Sequence, residues 1–164
     1  MLPSASLITG LILAAGVIGG VPKFEDAGWV QTGCTYRQLN ETGVEEAKQM
    51  AARWGAAGNR VPAAGWHVWT AGDVSIWICN CRKALVRPAA APVLLEEVEG
   101  VLRLLRAKCS GPQPASGWVW VGGRRKFHGK SFSVDHASLW AGASPSERCP
   151  ENCVRPWGDR HSHD

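Results

Sequence analysis

Trp66–Cys81 reads W-H-V-W-T-A-G-D-V-S-I-W-I-C-N-C, and the fold turns on this stretch. Val74, Ile76 and Ile78 alternate with Ser75, Trp77 and Cys79. That is the period of two expected of a strand whose successive side chains point to opposite faces. Trp66–Thr70 reads as the partner strand, and Ala71-Gly72-Asp73 supplies the turn. Few polar residues fall on either face of Val74–Cys79, which places this strand inside a sheet.

On the N-terminal side, Gly28–Arg37 (GWVQTGCTYR) reads as a first strand. Thr42 is expected to cap a helix that runs to Gly55, with Glu45 closing a capping box. Val44, Ala47, Met50, Ala51 and Trp54 form its apolar face, and Gly55 and Gly58 end it. On the C-terminal side, Pro88, Pro92 and the alanines between them form a linker. Val93–Lys108 is a second helix with Leu94, Val98, Val101, Leu102 and Leu105 as its apolar stripe. Glu96, Glu97 and Glu99 precede Arg103, Arg106 and Lys108, an order that complements the helix dipole. Ser110-Gly111-Pro112 stops the helix, Gly117–Gly122 (GWVWVG) is a strand, and Lys130–Asp135 adds another short one.

The order β-α-β-β-α-β predicts an α+β sandwich, a four-stranded antiparallel sheet with both helices on one face. Only two segments have the helical period, which argues against a helix bundle.

The chain has 164 residues, 45% hydrophobic and 20% charged, so it is neither a disordered acidic chain nor a polytopic membrane protein. Its net charge of +4 is mild and does not announce a nucleic-acid binder. Leu7–Gly20 is an uncharged apolar run of 14, too short to span a bilayer, and small residues follow it. It reads as a secretory signal peptide over residues 1–20. The remainder divides into a domain over 21–143 and an irregular tail over 144–164 that holds Cys and His. All six cysteines, Cys34, Cys79, Cys81, Cys109, Cys149 and Cys153, follow the apolar run, and an even count in a small exported domain predicts a disulfide framework. Cys79 and Cys81 share a strand face and are expected to bond to different partners, with Cys34 and Cys109 the natural ones. Cys109 should pin the helix end, and Cys149 and Cys153 should each staple the tail. Fifteen connectivities remain open. Asn40-Glu41-Thr42 is a glycosylation sequon at Asn40.

Nine Trp against one Tyr and three Phe is the other unusual feature. Trp66, Trp69, Trp77, Trp118 and Trp120 all fall on expected strands. Trp66 and Trp69 must point to opposite faces, while Trp118 and Trp120 share one. With helices on one side only, some indoles face a second layer, a partner or solvent. Core and interface packing is the plain reading of this set, and a sugar-stacking or protein-binding platform is the alternative. Arg124, Arg125, Lys126 and Lys130 place four cations in seven residues, suited to an anionic partner or, more plainly, to a solvated loop.

Cys149-x3-Cys153 with His161 and His163 has zinc-ligand types but no zinc spacing, so no metal or cofactor is expected. His67, His128, His136, Glu41 and Arg125 supply the residue types of a nuclease, yet nothing in their spacing brings them together. No nucleophile elbow, HExxH or phosphate loop is present.

Cys34-Thr35-Tyr36, the helix Glu45–Gly55, Ile76-Trp77-Ile78-Cys79-Asn80-Cys81, Ala107-Lys108-Cys109-Ser110-Gly111 and Gly117-Trp118 follow one another behind the signal segment. In this order the chain resembles small secreted effector and killer-toxin-like proteins of filamentous fungi with an α/β-sandwich. Cys81, where such families often carry an aromatic residue, and the tail from Ser144 depart from that pattern. The resemblance implies a secreted, non-enzymatic protein that binds a host or competitor protein, a membrane or cell-wall material, outside or later inside host cells, with no specific nucleic acid. Arg124, Arg125, Lys126, Lys130, Trp118 and Trp120 are the expected binding residues. The rival readings are a secreted ribonuclease-like enzyme using His128 and Arg125, and a carbohydrate-binding module using a Trp platform.

Overall fold

The computed structural model describes residues 29–82, 90–111, 113–122, 129–139, 149, 150 and 153. Residues 1–20, expected as a signal peptide, and most of the tail lie outside them. In chain order the elements are β1 (Trp29–Gln38), α1 (Glu41–Ala56), β2 (Arg60–Val61), β3 (Trp66–Ala71), β4 (Val74–Asn80), β5 (Ala91–Pro92), α2 (Leu95–Lys108), β6 (Ala115–Gly122) and β7 (Gly129–His136).

The main sheet has five strands in the order β1-β6-β7-β4-β3, each neighbouring pair antiparallel, and β2 pairs with β5 separately. Both helices pack on one face. The architecture is the expected α+β sandwich with one strand more than the four foreseen. The addition is β7, which becomes an eight-residue interior strand between β6 and β4. Lys130–Asp135 was expected only as a short addition, because its serines and lysine do not read as the apolar run usual for a buried strand. β4 lies between β7 and β3, and all seven of its residues are buried.

The core lies between helices and sheet. Val44, Ala47 and Ala51 of α1 and Val98, Val101 and Leu105 of α2 meet Val74, Ile76, Ile78, Val119, Phe132 and Val134. Two members of the expected stripes are instead exposed. Leu94 precedes α2 in extended conformation and so leaves the helical period, and Met50 lies at the rim of the α1 face.

The helix termini also differ from the reading of the sequence. Asn40, not Thr42, caps α1, its Oδ1 accepting from the Gly43 N–H at 2.9 Å. Asn is among the strongest N-caps, and Thr is weaker. Gly55 does not end α1. It lies within the last turn, at a position where a β-carbon would sit 1.9 Å from the Val93 carbonyl oxygen. Termination falls two residues later, where Ala57 N–H bonds to Arg53 O and Gly58 takes φ +85°.

Three disulfides staple the domain: Cys34–Cys109, Cys79–Cys149 and Cys81–Cys153. Cys109 pins the end of α2 to β1, and the two tail cysteines anchor the tail, as expected. The pairing of Cys79 and Cys81 with Cys34 and Cys109 is corrected. Cys34 is paired across strands with Gly117 and packs on the helix side, whereas Cys79 belongs to the opposite face, so the sheet stands between them.

Candidate functional site

The face opposite the helices is assembled by strand register. Residues directly opposite each other in neighbouring strands share a face. One row across β1, β6, β7, β4 and β3 reads Gly33, Trp118, Ser133, Trp77, Val68, and the next reads Gln31, Trp120, Ser131, Cys79, Trp66. Four of the nine indoles therefore lie on this one surface. The floor between them is polar but buried, with Ser131 and Ser133 both inaccessible. Ser75 bonds Thr70 hydroxyl to hydroxyl at 2.8 Å, and Asp135, opposite Ser75, is 1% exposed, its Oδ1 accepting from the His136 N–H.

The indoles on this face are not equivalent. Trp77 is buried with Cys79, Cys149 and Cys153, so the two tail cysteines cover the β4 side of the surface. Trp66 stacks on Trp77 with ring centroids 4.5 Å apart and planes 8° from parallel, yet keeps 37% of its surface exposed. Trp118 is 39% exposed. Its ring occupies the space above Gly33, where a β-carbon would lie 2.3 Å from Nε1. Trp120, the next residue on the same face, is half-buried. The expectation that Trp118 and Trp120 share a face and Trp66 opposes Trp69 holds: Trp69 lies in the helix-side core.

Lys130 is placed differently from the other expected cations. It is buried on the helix side, where Nζ donates to Pro92 O at 2.6 Å and pairs with Glu97 of α2. Burial pushes its ammonium pKa below 10.5, partly offset by the Glu97 charge. It is therefore not part of an exposed basic loop. Being the residue paired with Val121 and Asn80, it points with them away from the Trp face. Arg124, Arg125 and Lys126 lie outside the described residues, as does His128.

The two histidines among the described residues do not converge. His67 and His136 are paired with Ile78 and Val74, four positions apart on β4 or about 13 Å at ordinary strand rise. His67 is enclosed by Trp54 at 4.5 Å and Trp69 at 4.7 Å between ring centroids, and burial lowers its pKa from 6.5. His136 lies 3.4 Å from the Asp73 carboxylate in the β3–β4 turn and 2.8 Å from Gln38 O. Glu41 opens α1. Cys149 and Cys153 are held in disulfides, which leaves no thiolate for the metal arrangement considered above, and His161 and His163 lie outside the described residues. Asn40 is exposed, and its cap uses Oδ1 rather than the amide nitrogen that would carry a glycan.

Two members of the surface were missed from the sequence. Trp66 was seen only as a strand residue, and Gly33 as part of a strand. The odd separation of Trp66 from Trp69 already assigned them to opposite faces. Gly33 carried no signal, because its role depends on the register of β1 against β6.

No protein family, curated protein or solved structure matches this chain.

Proposed function

We propose that this is a secreted, non-enzymatic, effector- or toxin-like protein that binds a host or competitor target through the helix-free face of its sheet. The observation that carries the reading is Trp118, a large indole left 39% exposed on a face that neither helix covers. A solitary exposed apolar residue needs no explanation, but four indoles gathered on one sheet face do. Aromatic residues are the anchors most often found at the centre of binding surfaces. The three disulfides suit life in an oxidising compartment, in keeping with the apolar run at residues 7–20. Arg124, Arg125 and Lys126, which lie outside the described residues, remain part of the proposal as cations for an anionic partner, and Lys130 drops out of it.

The test is capture. The tagged, oxidised chain is incubated with host-tissue and competitor cell-wall extracts beside its Trp118→Ala variant. Capture by the parent chain and an approximately tenfold loss on truncation of one anchor are expected, about 1.4 kcal/mol. Equal capture by both proteins would remove the Trp face from the reading.

A further inference from the structure

We infer that the helix-free face binds a neutral glycan, with Trp118 and Trp66 as two separate stacking positions; the inference rests on the reading of that face as the target-binding surface. The argument begins with how the two rings are held. At Gly33 the absent side chain leaves room for the Trp118 ring, since a β-carbon there would meet Nε1 and Cε2 at 2.3 Å. The indole is thus set against β1 at Gly33, while 39% of Trp118 stays exposed. Trp66 is seated in another way with the same result. One of its faces lies parallel on Trp77 at 4.5 Å, and 37% of its surface stays open. Each ring is therefore seated before any ligand arrives and keeps more than a third of its surface open, so little conformational entropy is lost on binding.

A flat apolar ring with polar neighbours matches a pyranose, which has an apolar C–H face and hydroxyls around its edge. Gln31, exposed and directly opposite Trp120 in the register, supplies an amide within the same surface. Charge argues for a neutral ligand. In the two rows that hold the indoles no residue is ionisable apart from the disulfide-bonded Cys79, and Asp135 in the row beyond is 1% exposed. Within those two rows a phosphate or an acidic lipid would find no cation; exposed Arg37 lies beyond them, at the end of β1 beside Ser116. Trp118 and Trp66 are three strand spacings and two residues apart, about 16 Å, with the tail-bearing Cys79 between Ser131 and Trp66. Two positions that far apart favour a polymer over a single sugar, because the second contact becomes intramolecular.

The experiment uses the full oxidised chain with insoluble chitin and insoluble β-1,3-glucan in sedimentation, and with the soluble hexasaccharides of each by calorimetry. Binding to at least one polysaccharide is expected, stronger than to its monosaccharide. Trp118→Ala and Trp66→Ala should each weaken it about tenfold, the scale of one aromatic contact. Trp118→Phe, which keeps a flat ring, should retain most of it. Gly33→Ala keeps both indoles but lifts Trp118 from its seat, and it should weaken binding as well. Intact disulfides by non-reducing mass spectrometry and a cooperative unfolding transition certify that each variant is folded. No binding to either glycan, or binding indifferent to Trp118→Ala and Gly33→Ala, would overturn the inference. If capture from extracts depends on Trp118 while neither glycan binds, the glycan falls and a protein partner takes its place, with the binding face intact. If capture is indifferent to Trp118, the face itself fails.

Discussion

His67 shows how a residue's chemistry is settled by what packs on it. In the strand it alternates with Trp66 and Val68 and looks like any half-buried position. In the fold its ring is stacked on Trp54 and tilted against Trp69, and that burial holds its pKa below the ordinary 6.5. The unfolded chain takes up this proton near the ordinary value, while the folded state resists it. The stability associated with the neutral ring is thus complete above about pH 6.5 and declines as the pH falls toward the folded value. The urea midpoint should drop between about pH 7.5 and pH 5, and His67→Gln should flatten part of that drop. An identical pH dependence in the variant would show that His67 is not the group responsible. Lys130 teaches the same lesson with the opposite sign of error. Read beside Arg124, Arg125 and Lys126 it is one of four cations, but an even step along β7 turns it inward to Glu97.

At the scale of elements, the periodic segments were legible and their ends were not. The alternation in Val74–Cys79 and the stripe Val98, Val101, Leu105 survive intact, because a repeated pattern averages over local exceptions. A helix end rests on one or two residues and is easily outvoted by packing. Gly55 is the clearest case. Propensity alone predicts that Gly55→Ala would stabilise an internal helical position by about 1 kcal/mol. The Val93 carbonyl at 1.9 Å from the new β-carbon predicts the reverse. A destabilisation of about 1–3 kcal/mol is expected, the range of an overpacked site, measured by urea unfolding. A gain in stability would mean that the β5–α2 connection moves aside without cost. β7 was foreseen only as a short addition for a related reason. Its serines satisfy the polar floor of one face and its lysine is neutralised across the other, so a central strand carries the composition of an edge.

For the whole molecule, the disulfides divide the labour between the two sides of the sheet. Cys34–Cys109 closes the helix side over a sequence separation of 75, and the other two hold the tail on the Trp side. Replacing Cys34 and Cys109 together with Ser should cost about 2–5 kcal/mol of unfolding free energy, since a long loop is released in the unfolded chain and the α2 end is freed in the folded one. A change below about 0.5 kcal/mol, the ordinary effect of a surface substitution, would show that packing of α2 alone holds β1. What the sequence determined by itself was the layer architecture, the segregation of Trp66 from Trp69, and the shared face of Trp118 and Trp120. All of these follow from period and parity, which are local properties of a chain. Only the tertiary structure decided which cysteines meet, that Lys130 is internal, and that Gly33 makes room for an indole. Each of those depends on which strands become neighbours and in what register. Register is fixed by burial summed over the whole sheet, so no single segment carries it.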